Sequence, residues 1–184
     1  MDLTRRETLA TAGAATLVAP ATPALAAGRP ASHALINQKA PPFDLPKIGG
    51  GRAKLSDYKG KTLVLMFYGQ WCGDCMRDAP QTAALVRAMA EDKRLAFLGI
   101  HTRGNFGRWG DVPSFFKEMG WSFPAALDDD SAAYKTYQMQ WVPGFLVIDT
   151  KAIIRVFAND LVAGGGKGVA GFLGDVRAVA ARKA

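Results

Sequence analysis

Cys72 and Cys75 are the only two thiols in the 184-residue chain, set in Trp71-Cys72-Gly73-Asp74-Cys75. Two thiols separated by two residues can close a small disulfide ring with little backbone change. The segment follows a continuous apolar run, Lys61 to Tyr68, and precedes a stretch of helical periodicity. A thiolate at a strand-to-helix junction faces unpaired backbone N–H groups and the positive end of the helix dipole, which lowers its pKa. Cys72 therefore reads as the attacking thiol. Cys75, one turn into the helix and better shielded, reads as the resolving one. Zinc binding and an inert staple are the other uses of such a pair. Zinc usually takes four N/S ligands, and only His33 and His101 remain to add to it. A ring this small removes little chain entropy. Position and spacing thus favour redox chemistry.

The elements around the pair follow from periodicity. The run from Lys61 to Tyr68, bounded by Gly60 and Gly69, suits a strand buried on both faces. Leu85, Val86, Met89 and Ala90 recur at helical spacing, and Leu95 to Ile100 is a second apolar run. Together they form a βαβ unit. Thr102 to Gly110 reads as a loop, Val112 to Met119 as a short helix and Phe123 to Leu127 as a brief strand. Ser131 is placed to cap a helix reaching about Tyr137. Phe145–Ile148 and Ile153–Phe157 read as an antiparallel hairpin. Val169, Phe172, Leu173, Val176, Val179 and Ala180 form a closing helical stripe. This order predicts one α/β domain without internal repeats.

Residues 1–26 have a different character. Arg5 and Arg6 precede a weakly apolar, Ala-rich stretch from Leu9 to Val18, and Ala24-Leu25-Ala26 is a small-residue cleavage pattern. The apolar stretch is shorter than the roughly 20 residues that span a bilayer. Thr4-Arg5-Arg6-Glu7-Thr8-Leu9 resembles a twin-arginine export signal, with Thr8 where that pattern prefers an aromatic or bulky apolar residue. Export to the periplasm or beyond, with cleavage after Ala26, is the expectation, followed by a polar tether over 27–39 and a domain over 40–184. Removing the first 26 residues takes away Arg5 and Arg6 but also Asp2 and Glu7, so the net charge stays +7. The Lys and Arg residues are scattered, which argues against nucleic-acid binding and leaves acidic partners or an anionic membrane surface open. An exported compartment is one where disulfides persist.

Several segments outside the cysteine pair carry a resemblance. Ala40-Pro41-Pro42-Phe43-Asp44-Leu45 is similar to an entry segment shared with peroxiredoxins, and Leu55-Ser56-Asp57-Tyr58-Lys59-Gly60-Lys61 to a lead-in to a central strand. Asp78 and Pro80 follow the cysteines, and Trp141-Val142-Pro143-Gly144-Phe145-Leu146-Val147-Ile148-Asp149 is similar to a cis-proline loop and strand. From about Gln38 onward the chain resembles the thioredoxin-like superfamily, in particular exported thiol–disulfide oxidoreductases of the TlpA and ResA type. The resemblance implies a thioredoxin-like α/β fold with a central mixed β-sheet flanked by helices. It implies a cis Val142–Pro143 bond packed beside the disulfide, leaving the backbone before it free to pair with a client peptide. It also implies protein thiol and disulfide clients, a membrane-bound disulfide reductase as electron donor, a monomer, and no cofactor or metal. The family usually has Thr after this proline, where Gly144 stands here.

Other residues gain roles or alternatives beside that frame. Asp78 lies three positions after Cys75 on the same helical face, as a proton acceptor for Cys75 or as a solvated charge. Asp74 opposes the Cys72 thiolate by charge yet suits a helix N-terminus. If repulsion dominates, the disulfide form is favoured and the protein is a reductant. Trp71 and Trp141 flank the pair as an apolar landing surface or serve as core aromatics, and Val142 joins them as a client-contact position. His101 ends a predicted strand, where it either approaches the site or, the weightier reading, serves as a surface or loop histidine. Gly164-Gly165-Gly166-Lys167-Gly168 lacks the pattern of a phosphate loop and reads as a flexible connection. Two competing functions remain. A peroxidase needs Thr or Ser shortly before its cysteine, whereas Gly69-Gln70-Trp71 stand here. A copper or metal chaperone would use the thiols with Met76, Met139 or His101.

Overall fold

The computed structural model describes residues 32–103, 111–118, 120–162 and 167–182. The expected export signal, most of the loop before Val112, and Gly164 to Gly166 lie outside these residues. The continuous apolar run forms β3 (Thr62–Tyr68), every residue of which is buried. Gly60, at φ 83°, makes the turn that feeds it. After β3 come α1 (Gly73–Ala90) and β4 (Leu95–Thr102), and β3 and β4 pair in parallel. The expected βαβ unit is therefore present. Next are α2 (Val112–Glu118), β5 (Ala125–Asp128), α3 (Ala132–Thr136), the hairpin β6 (Gly144–Ile148) and β7 (Ile154–Ala158), and α4 (Gly168–Ala180). The sheet is mixed, in the order β5-β4-β3-β6-β7, with β3 at its centre.

Because side chains alternate along a strand, β3 divides its residues between two cores. Met66 and Tyr68 face α1 and α2. The Thr82 hydroxyl of α1 points to Met66 Sδ, and the Tyr68 ring meets Phe116, Trp121 and Phe123 edge-on or tilted. Gly99 leaves room for this cluster, since a Cβ there would lie 2.8 Å from Phe123 and 3.0 Å from Tyr68. Phe67 faces the other way, against Tyr134 and Tyr137 of the α3 side. Truncating a buried aromatic such as Phe67 to Ala costs about 3–5 kcal/mol, so this strand fixes where the chain emerges at Tyr68.

Three findings depart from the sequence expectations. An antiparallel pair, β1 (Asp44–Pro46) and β2 (Arg52–Lys54), and a 3-10 turn at Leu55–Tyr58 precede β3 and carry no strong periodic signal. The end of the stretch expected as tether is docked: Leu35 is buried, and the Asn37 and Ala40 N–H groups donate to the Ile154 and Ala152 carbonyls. Ser131 does precede α3, but its backbone is left-handed (φ 57°) and its side chain does not cap. The Thr102 hydroxyl donates to Ser131 Oγ, and the Asp128 carboxylate accepts the Ala133 and Tyr134 N–H groups instead. A carboxylate three residues upstream thus does the work expected of the serine.

Candidate active site

The three residues between β3 and Cys72, the N-cap of α1, set the position of that cysteine. Cys72 N–H donates to the Gly69 carbonyl at 3.0 Å. A Cβ on Gly69 would lie 2.5 Å from the Trp71 indole, so only glycine lets that ring fold back over the strand end. Trp71 Nε1–H donates to the Thr102 carbonyl at 3.1 Å, and Gln70 N–H donates to His101 Nε2 at 3.3 Å. Both acceptors sit at the end of β4, next to Tyr68 in the parallel register. Cys72 then occupies the N-cap of α1 in extended backbone geometry.

Two contacts define its sulfur. Cys72 Sγ accepts the Cys75 N–H at 3.1 Å and donates to the Val142 carbonyl at 3.3 Å. The Val142–Pro143 bond is cis, as the family resemblance implied. A side chain at position 144 would collide with Met139 Cε, so the buried Met139 fills the space that a Thr there would need. Cys72 is 7% exposed and Cys75 is fully enclosed, which separates an accessible thiol from a shielded one. Both are free thiols in this structure.

The electrostatics follow this asymmetry. The hydrogen bond from the Cys75 thiol, with help from its N–H, holds the Cys72 pKa below the usual thiol value. Burial and the Asp74 carboxylate oppose that shift. Asp74 is itself ion-paired with Arg77 across one turn of α1. Cys75 is driven strongly upward, first by burial and then by its bond to Cys72. The site thus favours a thiolate on Cys72 over one on Cys75.

Asp78 is buried, which removes the reading of a solvated helix charge. Its Oδ2 accepts the Leu161 N–H at 2.7 Å, tying α1 to the connection between β7 and α4. Burial raises its pKa, partly offset by the Leu161 bond, and its charge in turn pushes Cys75 upward. Trp71 is half-buried, whereas Trp141 is 38% exposed. Trp141 and Val162 are the exposed large apolar side chains among the described residues. Trp141 precedes Val142, whose carbonyl meets Cys72, and Val162 follows Leu161, whose N–H donates to Asp78.

One participant was given too little weight by the sequence and another escaped it. His101 is not a surface or loop residue: it lies within β4 and is 1% exposed. Burial pushes its pKa down to about 4. Its place two residues beyond Gly99, on the same strand face, was the available signal. Leu161 had no local signal, because its role is to meet Asp78 across 83 positions of chain.

Comparison with known proteins places this geometry. A model of the AhpC/TSA family matches residues 36–157. The thiol-disulfide oxidoreductase ResA of Bacillus subtilis (strain 168) is 32% identical over 125 residues, covering 66% of this chain and 66% of that protein. Thioredoxin-like protein YneN of the same organism is 26% identical over 118 residues, covering 64% of this chain and 68% of that protein. The chain thus spans about two thirds of the length of these curated relatives. Among solved structures, a thiol:disulfide interchange protein of the thioredoxin family from Chlorobium tepidum TLS superposes with a TM-score of 0.62 at 20% identity. That match covers 77% of this chain and 95% of the other, and the shared fold is thioredoxin-like.

Proposed function

This chain belongs to the AhpC/TSA family, and on that premise we propose that it is an exported thiol–disulfide oxidoreductase acting on protein clients through Cys72 and Cys75. The observation that carries the reading is the pair of contacts on one sulfur. Cys72 Sγ accepts the Cys75 N–H and faces the Val142 carbonyl, with Cys75 buried behind it. The Cys72 thiolate attacks one sulfur of a client disulfide and forms a mixed disulfide, and the other client sulfur leaves as thiolate. Cys75 then loses its proton to Asp78 and attacks Cys72 Sγ. The Cys72–Cys75 disulfide forms, and the second client thiolate is released. Two electrons pass from the protein to the client, and a membrane-bound disulfide reductase returns them. Trp71, Trp141 and Val142 provide the apolar surface and backbone against which a client strand lies.

Asp74 bears on the direction. Its carboxylate works against the Cys72 thiolate and so favours the disulfide form and a reductant, while the bonds from Cys75 and the pairing of Asp74 with Arg77 work the other way; the reductant direction is part of the proposal. A reduction potential more oxidising than that of glutathione would overturn that direction. Export rests on the order of Arg5-Arg6, the Ala-rich stretch and Ala24-Leu25-Ala26. The decisive experiment is trapping. A Cys75→Ser variant, exported in cells, accumulates mixed disulfides through Cys72 that mass spectrometry identifies. No adducts, together with a functionally silent Cys72→Ser, would end this reading.

A peroxidase is the second reading, favoured by the family match itself. Gly69-Gln70-Trp71 before Cys72 weigh against it. Peroxide consumption with a thiol donor, measured beside client reduction, separates the two.

A further inference from the structure

We infer that His101 is the positioning residue of the attacking thiol: by accepting the Gln70 N–H, its imidazole holds the three-residue lead-in against the end of β4 and keeps Cys72 Sγ at the head of α1. The lead-in is short, so few bonds fix it. Gly69 and Cys72 close it internally, and the Trp71 indole N–H ties it to Thr102. His101 supplies the side-chain acceptor for a backbone donor in this loop. A part-buried backbone N–H left without an acceptor costs free energy comparable to a lost hydrogen bond.

The ring suits this task because it stays neutral. Since Nε2 accepts, the proton sits on Nδ1. A protonated ring would turn Nε2 into a donor facing the Gln70 N–H. Burial is what holds the neutral form, with Arg103 acting in the same sense and Asp129 against it. The ring also stands edge-on to Tyr68, at 5.5 Å between centroids, which fixes its plane from the strand beside it. The lead-in sets the Cys72 backbone, and the Cys72 backbone sets the Cys75 N–H···Sγ contact of 3.1 Å. Loosening the first weakens the last, and that contact is one of the causes that lower the Cys72 pKa.

The inference rests on Cys72 being the attacking thiol, and a small alkylating reagent tests it without any client. The rate of Cys72 alkylation by iodoacetamide, followed against pH by mass spectrometry, reports its thiolate. His101→Phe keeps a flat ring beside Tyr68 and removes the acceptor. It is expected to shift the profile to higher pH and lower the neutral-pH rate about three- to ten-fold. His101→Gln, which offers an amide oxygen, recovers at least half of the loss. An unshifted profile in His101→Phe, or no recovery in His101→Gln, overturns the role. If His101→Phe does not fold, the unaltered protein still decides. Nitrogen NMR then shows the Nδ1–H tautomer and slow exchange of the Gln70 amide, and an Nε2–H tautomer overturns the proposal. A shifted profile in a protein that reduces no client keeps the positioning role and removes the exchange function. An unshifted profile in an active reductase does the reverse.

Discussion

At the head of α1 the Cys75 N–H meets a thiol sulfur at 3.1 Å, whereas at the head of α3 the Ala133 and Tyr134 N–H groups meet the Asp128 carboxylate at 3.0 and 2.9 Å. Both helix starts present unpaired backbone donors, and both are satisfied by an acceptor close to the preceding strand. Their chemistry diverges through the acceptor and its access. Asp128 is fully buried, and burial raises its pKa despite the two N–H bonds. Cys72 keeps 7% of its surface, and its neighbours lower its pKa. The same electrostatic arrangement is a structural fixture where the acceptor is an enclosed carboxylate. Where the acceptor is a thiol open to one side, the proposed function makes it the nucleophile.

The largest effect tests whether capping and chemistry at Cys72 are separable. Cys72→Ser keeps an oxygen at the N-cap, so the melting temperature should stay within a few degrees while client reduction falls by more than about 1,000-fold. A large loss of stability would mean that the sulfur is needed for α1 itself. Next comes Asp78→Asn, which keeps an acceptor for the Leu161 N–H but removes the base. The resolving step should slow by about 100-fold, measured as the lifetime of a mixed disulfide with a model peptide.

The same variant carries a pH signature. Because burial raises the Asp78 pKa, the folded protein binds that proton more tightly than the unfolded chain. This contribution to stability is therefore lost as pH rises from the usual carboxylate value through the raised one. Denaturant melts across that window should show a shallower decline in Asp78→Asn than in the unaltered protein.

At the carboxylate-capped helix, Asp128→Ala leaves two N–H groups unaccepted and should cost about 2 kcal/mol of stability. Exchange per folded molecule should stay within about two-fold of the unaltered protein. A selective loss of exchange would make α3 part of the site and erase the contrast between the two helix starts. The smallest effect is expected for Asp74→Asn. Removing a carboxylate already paired with Arg77 should shift Cys72 alkylation to lower pH and raise its rate about two- to three-fold at mildly acidic pH. A slower rate would mean that Asp74 helps the thiolate through the helix start rather than opposing it.

The legible part of this fold was the part with a short period. β3 announced itself as an unbroken apolar run, and α1, α4 and the β6–β7 hairpin followed from apolar spacing and turn residues. β1 and β2 are three residues each, too short for alternation to register. Ser131 misled because a serine before a helix is a good local signal, yet Asp128 reaches the same donors once the turn places it there. His101 misled for a related reason. At the end of an apolar run it looked like a boundary residue, and the strand continues to Thr102 beneath the Trp71 loop.

The sequence by itself determined which atoms could react and in what order along the chain. Cys72 and Cys75 straddle the change from strand to helix, and helix geometry alone places the second behind the first. The family segments added Pro143 and Asp78 to the list. Tertiary structure alone decided what those atoms face. The Val142 carbonyl reaches Cys72 across 70 residues, the Leu161 N–H reaches Asp78 across 83, and His101 reaches the Gln70 N–H across 31. Periodicity and capping are read within one turn or one strand. Desolvation, which lifts Cys75 and Asp78 and keeps His101 neutral, depends on every segment that closes over a site, and distant parts of the chain supply those segments.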